Sequence, residues 1–149
     1  MNDTRATPAA EHPRPIVWSI AGTDSGGGAG LAADQRAAEA CGVHLCPVVA
    51  AVTAQHTAAV THIAPVDPAL LQAQLDALAQ DLPPRVIKTG LLGGPQQVRV
   101  VAAMVRRLRA QGPGPVALVV DPVLGASSGA GFADAATLQA YRDLSLIHI

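Results

Sequence analysis

Residues 16–34 read IVWSIAGTDSGGGAGLAAD, and the change of period within this stretch decides the fold class. Its first six residues are a short apolar run bounded by Pro15 and Gly22 and opened by β-branched side chains, the pattern of a buried strand. From Gly30 the period becomes helical: Leu31, Ala38 and Cys41 share one face, with Asp34, Arg36 and Glu39 mostly on others. A glycine-rich loop joins the two, and its missing Cβ atoms would let backbone approach a ligand closely. The unpaired N–H groups and positive dipole end at the start of the helix are expected to face that ligand.

The alternation continues along the chain. Gly42 stops the first helix, and residues 44–53 (HLCPVVAAVT) read as a second buried strand with Gln55 after its carboxyl end. A short strand is expected at 61–66. Asp67-Pro68 then supplies an N-cap and a proline at the first helical position, and the spacing of Leu71, Leu75 and Leu78 predicts a helix over 68–80. Residues 85–89 (RVIKT) form a short strand between Pro83-Pro84 and Gly90. Val98, Val101, Val105 and Leu108 predict a helix over 95–111. Residues 116–120 (VALVV) are expected to be a central parallel strand covered on both faces, followed by a loop over 121–131 and a last helix from about Ala135.

Strands alternating with helices of this length predict an open α/β architecture with a mostly parallel sheet. Ligands in such sheets bind outside the carboxyl ends of the strands. The loops there carry residues 22–30, Gln55, Gly90-Leu91 and residues 121–131, so all four are expected to meet at one site.

Composition narrows the function. The chain has 149 residues, 50% of them hydrophobic, enough for one aliphatic core. Its net charge is -1, and its basic residues are dispersed apart from Arg106, Arg107 and Arg109, so a nucleic-acid partner has no electrostatic footprint. Trp18, Phe132 and Tyr141 are its only aromatic residues of their kinds, too few for base stacking. Residues 1–14 lack the apolar core of a secretory signal and are expected to be a flexible tail. No apolar run reaches membrane-spanning length, so no membrane partner and a cytoplasmic location are expected. Cys41 and Cys46, with His44 between them, lack a fourth zinc ligand and read as small core residues flanking a helix-to-strand turn.

Generic phosphate motifs fit poorly. A P-loop needs a lysine directly after its glycines, and the only lysine, Lys88, lies far along the chain. Residues 28–33 match G-x-G-x-x-A, but six residues separate the match from the strand, and strand two ends in Thr53-Ala54-Gln55 rather than in an acid for a ribose hydroxyl.

Four ordered motifs, AGTDSGGGAGLAAD (21–34), VVAAVTAQHT (48–57), VIKTGLL (86–92) and VVDPVLGASSG (119–129), closely resemble the hydroxymethylpyrimidine/phosphomethylpyrimidine kinases of thiamine biosynthesis. The resemblance runs over about 17–143 and implies a three-layer, ribokinase-like (Rossmann-like), mostly parallel sheet truncated at the C-terminus. It also implies ATP-dependent phosphorylation of 4-amino-5-hydroxymethyl-2-methylpyrimidine and then of its monophosphate. ATP and Mg2+ would be the cofactors, the pyrimidine the small-molecule partner, and the full-length protein a homo-oligomer.

Carried over by position, Gly22, Asp34, Gln55, Leu91 and Val123 become substrate-binding residues, and Asp121 the residue facing phosphate and magnesium. A glutamine amide offers one donor and one acceptor, the complement of an aminopyrimidine edge. The analogous pairing with adenine discriminates by about 1–3 kcal/mol. Asp34 would accept from a substrate amine or hydroxyl, Gly22 would place bare backbone against the ring, and Leu91 and Val123 would be apolar walls. Two departures stand out: Leu91 occupies a position where methionine is expected, and Ser25 one where the pattern GTDPSGG has proline.

The family's second half carries the ATP site and a Gly-Thr-Gly-Cys-type loop, and nothing after Asp143 supplies either. Phosphoryl transfer depends on positioning and on charge stabilisation at the phosphate, so this chain as written is expected to lack kinase activity. Residues 144–149 (LSLIHI) match the translation of a transposon-end adapter used in sequencing libraries, and are expected to be non-native. An apolar sheet edge should then be exposed. Two rival readings are a pyridoxal or pyridoxine kinase of the same superfamily and a non-catalytic pyrimidine-binding module.

Overall fold

Five apolar segments pair into one sheet in a computed structural model that describes residues 14–111, 114–125 and 134–145. The expected tail, apart from Arg14, lies outside the described residues. In chain order the elements are β1 (Ile16–Gly22), α1 (Gly30–Ala40), β2 (His44–His56), β3 (Ala59–Pro65), α2 (Pro68–Asp81), β4 (Val86–Thr89), α3 (Pro95–Gln111), β5 (Ala117–Val120) and α4 (Ala135–Ser145). The strands lie in the order β3-β2-β1-β4-β5. β1 pairs parallel with β2 and β4, β4 pairs parallel with β5, and β3 runs antiparallel to β2. The expected mostly parallel α/β sheet is thus present.

Local chemistry sets the helix ends. The Asp67 carboxylate accepts from the N–H groups of Ala69 (2.8 Å) and Leu70 (3.4 Å) and is followed by Pro68, whose missing N–H costs nothing there. Asp134 caps α4 in the same way, accepting from the Thr137 N–H at 2.8 Å. That contact, chiefly, holds the Asp134 carboxyl below its ordinary pKa. Gly42, at φ +68, turns the chain out of α1.

Registered residues on neighbouring strands share a face, and successive residues alternate faces. One row across the sheet is Cys46, Trp18, Ile87 and Leu118. All four are buried, in the same cluster as Leu71 and Leu75 of α2, Val98, Val101, Met104 and Val105 of α3, and Tyr141 and Leu144 of α4. Leu144, the first of the six residues read as foreign, is fully buried in that cluster. The indole N–H of Trp18 donates to the Leu82 carbonyl at 2.8 Å, so its burial leaves no orphan donor.

The next row, Pro47, Ser19, Lys88 and Val119, faces the opposite way, toward α1, which packs on β1 and β2. Helices on both faces make three layers, as the resemblance implies.

Three expectations need correction. β5 was expected to be covered on both faces, but among the described residues it is an edge strand: Leu118 is buried while Ala117 and Val119 are exposed, Val119 at 52%. α1, the helix on that face, packs on β1 and β2. β2 runs to His56 rather than to Thr53, because β1 leaves the sheet at Gly22 opposite Ala51, and the rest of β2 pairs with β3 as a hairpin. Cys46 is buried as expected, and burial raises its thiol pKa, but Cys41 is exposed at the end of α1.

Before β3 begins to pair, the outer edge of β2 is completed by a side chain. The Gln74 amide of α2 accepts from the Val49 N–H and donates to the Val49 carbonyl, both at 3.0 Å.

Candidate functional site

The four loops do meet, the last through residues 121–125, while 126–131 lie outside the described residues. The loops line an open cavity of about 440 Å³ at the carboxyl ends of the parallel strands, with Gly22 to Gly30 on one side, the β2–β3 hairpin on another, and Lys88, Gly90, Leu91, Asp121, Val123 and Gly125 beyond.

The glycine loop is fixed from within. Its turn is closed by Asp24, whose carboxylate accepts from the N–H groups of Gly26 (2.8 Å), Gly28 (2.9 Å) and Ala29 (2.8 Å). Three N–H groups of the loop are therefore taken by the chain's own carboxylate just ahead of α1, while no side chain caps the first turn of α1 itself. Gly30 has no substitute: at φ +55, a Cβ would lie 2.3 Å from the Gly22 carbonyl oxygen. Two threonines tie the loop's entry to β2. The Thr53 N–H donates to Thr23 Oγ1 (3.2 Å), and the Thr53 hydroxyl donates to the Thr23 carbonyl (2.7 Å). Ser25, standing in the proline position, donates to the Thr53 carbonyl at 2.8 Å.

Gln55 lines the cavity from the hairpin, in register with Val60. Its Oε1 lies 3.5 Å from the Thr53 hydroxyl. That hydroxyl has one proton and already uses it on the much closer Thr23 carbonyl. The Gln55 amide is thus left to serve the cavity. Gly22, Leu91 and Val123 line it too. The space a Cβ on Gly22 would enter is bordered by Leu91 Cδ2 at 3.2 Å, so the bare backbone lets Leu91 pack against β1.

Asp34 is placed behind the cavity rather than on its wall. Its carboxylate receives Lys88 Nζ at 2.9 and 3.0 Å and the Ser19 hydroxyl at 2.5 Å. Lys88, distant from the glycines in sequence, is close to their helix in space, because β4 pairs beside β1 and puts Lys88 in register with Ser19. It is the wall residue that the sequence reading passed over. The available signal was a lysine inside a four-residue apolar strand. His56 and Thr57 at the hairpin tip, also on the wall, carried no such signal.

Asp121 is exposed at the end of β5, where its N–H donates to the Thr89 carbonyl at 3.1 Å. No three His, Cys, Asp or Glu side chains converge among the described residues.

α4 steadies the far wall. The Tyr141 hydroxyl donates to the Gly90 carbonyl (3.1 Å) and accepts from the Leu92 N–H (3.4 Å), and burial raises its pKa. No helix among the described residues is long and apolar enough to cross a membrane.

Comparison with solved structures defines the class, that of the ribokinase-like kinases. A phosphomethylpyrimidine kinase from Clostridium difficile 630 superposes with a TM-score of 0.75 at 30% identity, covering 85% of this chain and 53% of that one. A pyridoxal kinase from Staphylococcus aureus, in complex with AMP-PCP and pyridoxal, shares the fold with a TM-score of 0.74 at 22% identity, covering 91% of this chain and 46% of that one.

The chain belongs to the phosphomethylpyrimidine kinase family, whose model matches residues 24–149. A hydroxymethylpyrimidine/phosphomethylpyrimidine kinase of Synechococcus elongatus is 40% identical over 129 residues, which is 87% of this chain and 47% of that protein. A probable thiamine biosynthetic bifunctional enzyme, chloroplastic, of Oryza sativa is 41% identical over 138 residues, 93% of this chain and 24% of that protein. The chain spans between a quarter and a half of the length of these curated relatives.

Proposed function

We propose that this chain is the pyrimidine-binding part of an ATP-dependent kinase that phosphorylates 4-amino-5-hydroxymethyl-2-methylpyrimidine and then its monophosphate in thiamine biosynthesis. The observation that carries the reading is the Gln55 amide, presented to a cavity also lined by Gly22, Leu91 and Val123. Its oxygen accepts from the exocyclic amine and its NH2 donates to a ring nitrogen, which fixes the ring's orientation. Leu91 and Val123 exclude water from the ring faces. Asp121 borders the side where the phosphate would lie.

ATP with Mg2+ supplies the phosphoryl group. We assign both to the remaining length of the family's chain, and we place the complete protein in the cytoplasm as a homo-oligomer.

Calorimetric titration of the 149-residue chain with the pyrimidine alcohol tests the reading. Binding is expected, together with no pyrimidine-dependent ATP turnover. Gln55→Leu should weaken binding by about 1–3 kcal/mol, a factor of roughly 5 to 150, without moving the thermal midpoint. Preference for pyridoxal over the pyrimidine would overturn it.

A further inference from the structure

Lys88 is the only lysine of the chain and, among the described residues, the only lysine or arginine on the cavity wall. The other charged wall residues are Asp24 and Asp121. Asp24 is committed to the glycine loop's own N–H groups, so Lys88 is the one cationic donor that a phosphate entering the cavity would meet. Its ammonium carries three N–H groups, and the Asp34 carboxylate engages it from the α1 side. The Ser19 hydroxyl, fully buried beneath the pair, holds the same carboxylate.

The two members of the pair are placed differently. Asp34 has its oxygens turned to Lys88 and Ser19, while Lys88 reaches the wall; the side chains are 20% and 26% exposed. The ligands proposed above also differ: a neutral alcohol and a phosphate dianion. An uncompensated ammonium would favour the dianion strongly, and a wall without Lys88 would oppose it with Asp121.

We infer that the Lys88–Asp34 pair sets the balance between these two ligands. Lys88 donates to the hydroxyl or phosphate oxygen on the ring's substituent, and Asp34 is a positioning residue that holds the ammonium and limits its charge. This rests on the pyrimidine reading above and moves the ligand contact from Asp34 to Lys88.

The test titrates the 149-residue chain and three variants with the pyrimidine alcohol and with its monophosphate, and reads the ratio of the two affinities. Asp34→Asn, which leaves the ammonium uncompensated, should raise the monophosphate-to-alcohol ratio about tenfold, and Lys88→Met should lower it about tenfold. Lys88→Met strands a partly buried carboxylate and risks unfolding. The double variant Lys88→Met/Asp34→Asn removes both charges and should lower the ratio as well. A purely structural pair would move both affinities together, so unchanged ratios overturn the inference while the pyrimidine reading stands. If the unaltered chain binds neither ligand, that reading fails and the inference fails with it.

Discussion

Two adjacent rows of the sheet behave as different materials. Cys46, Trp18, Ile87 and Leu118 form a continuous apolar band under α2, α3 and α4, every member buried. One residue further along each strand, Pro47, Ser19, Lys88 and Val119 mix an imino acid, a hydroxyl, an ammonium and an exposed valine beneath or beside a single helix. Stability is concentrated on the first face, and the polar groups that reach the cavity are on the second. A residue's face therefore forecasts whether its loss is felt in folding or in binding.

The sharpest test of that division is Trp18→Ala, which should cost about 3–5 kcal/mol in a denaturant titration, through lost burial and an orphaned Leu82 carbonyl. A cost near 1 kcal/mol would mean that the apolar band is loosely packed. Gly30→Ala should come next, at about 1–3 kcal/mol, because the left-handed backbone and the Gly22 carbonyl both reject a Cβ. Its main effect should fall on ligand affinity, since the displaced segment is the glycine loop, and an unchanged affinity would separate loop geometry from binding.

A smaller effect is expected from Tyr141, which joins the packed face to the cavity wall. Its folded pKa is raised by burial, so its contribution is intact below the ordinary tyrosine value near 10 and is lost as pH rises above it through the folded value. Tyr141 is the only tyrosine, so the tyrosinate absorbance reports it alone. Tyr141→Phe should remove that alkaline loss, and a loss that persists in the variant would assign it elsewhere. Smallest of all should be Val119→Lys on the uncovered side of β5. It should change unfolding free energy by no more than about 0.5 kcal/mol and reduce self-association in sedimentation. A large destabilisation would show that the second face is packed after all.

Periodicity made the elements legible because it is a local property. The α3 stripe of Val98, Val101, Val105 and Leu108 and the Asp67-Pro68 cap both appear where their spacing puts them. The convergence of four loops followed from the parallel sheet alone. Strand order is not local, and it hid Lys88: 54 residues separate it from Asp34, and only the pairing of β4 beside β1 brings the two together. An apolar run such as 116–120 also carries no record of how many faces are covered, and Val119 is exposed although its sequence suits a buried strand. The glycine loop adds a feature that spacing does not reveal, because Asp24 accepts from the loop N–H groups of Gly26, Gly28 and Ala29 ahead of the helix.

The Gln74 amide takes the place of a neighbouring strand at Val49. Since it completes the Val49 N–H and carbonyl by itself, β2 needs no neighbouring strand at that point, and β3 joins the sheet only from Ala51 onward. The hairpin tip that carries Gln55 therefore projects past the strands beside it and is held at its base, where Thr53 is bonded to Thr23 and Ser25, so glycine loop and hairpin stand as one braced wall of the cavity.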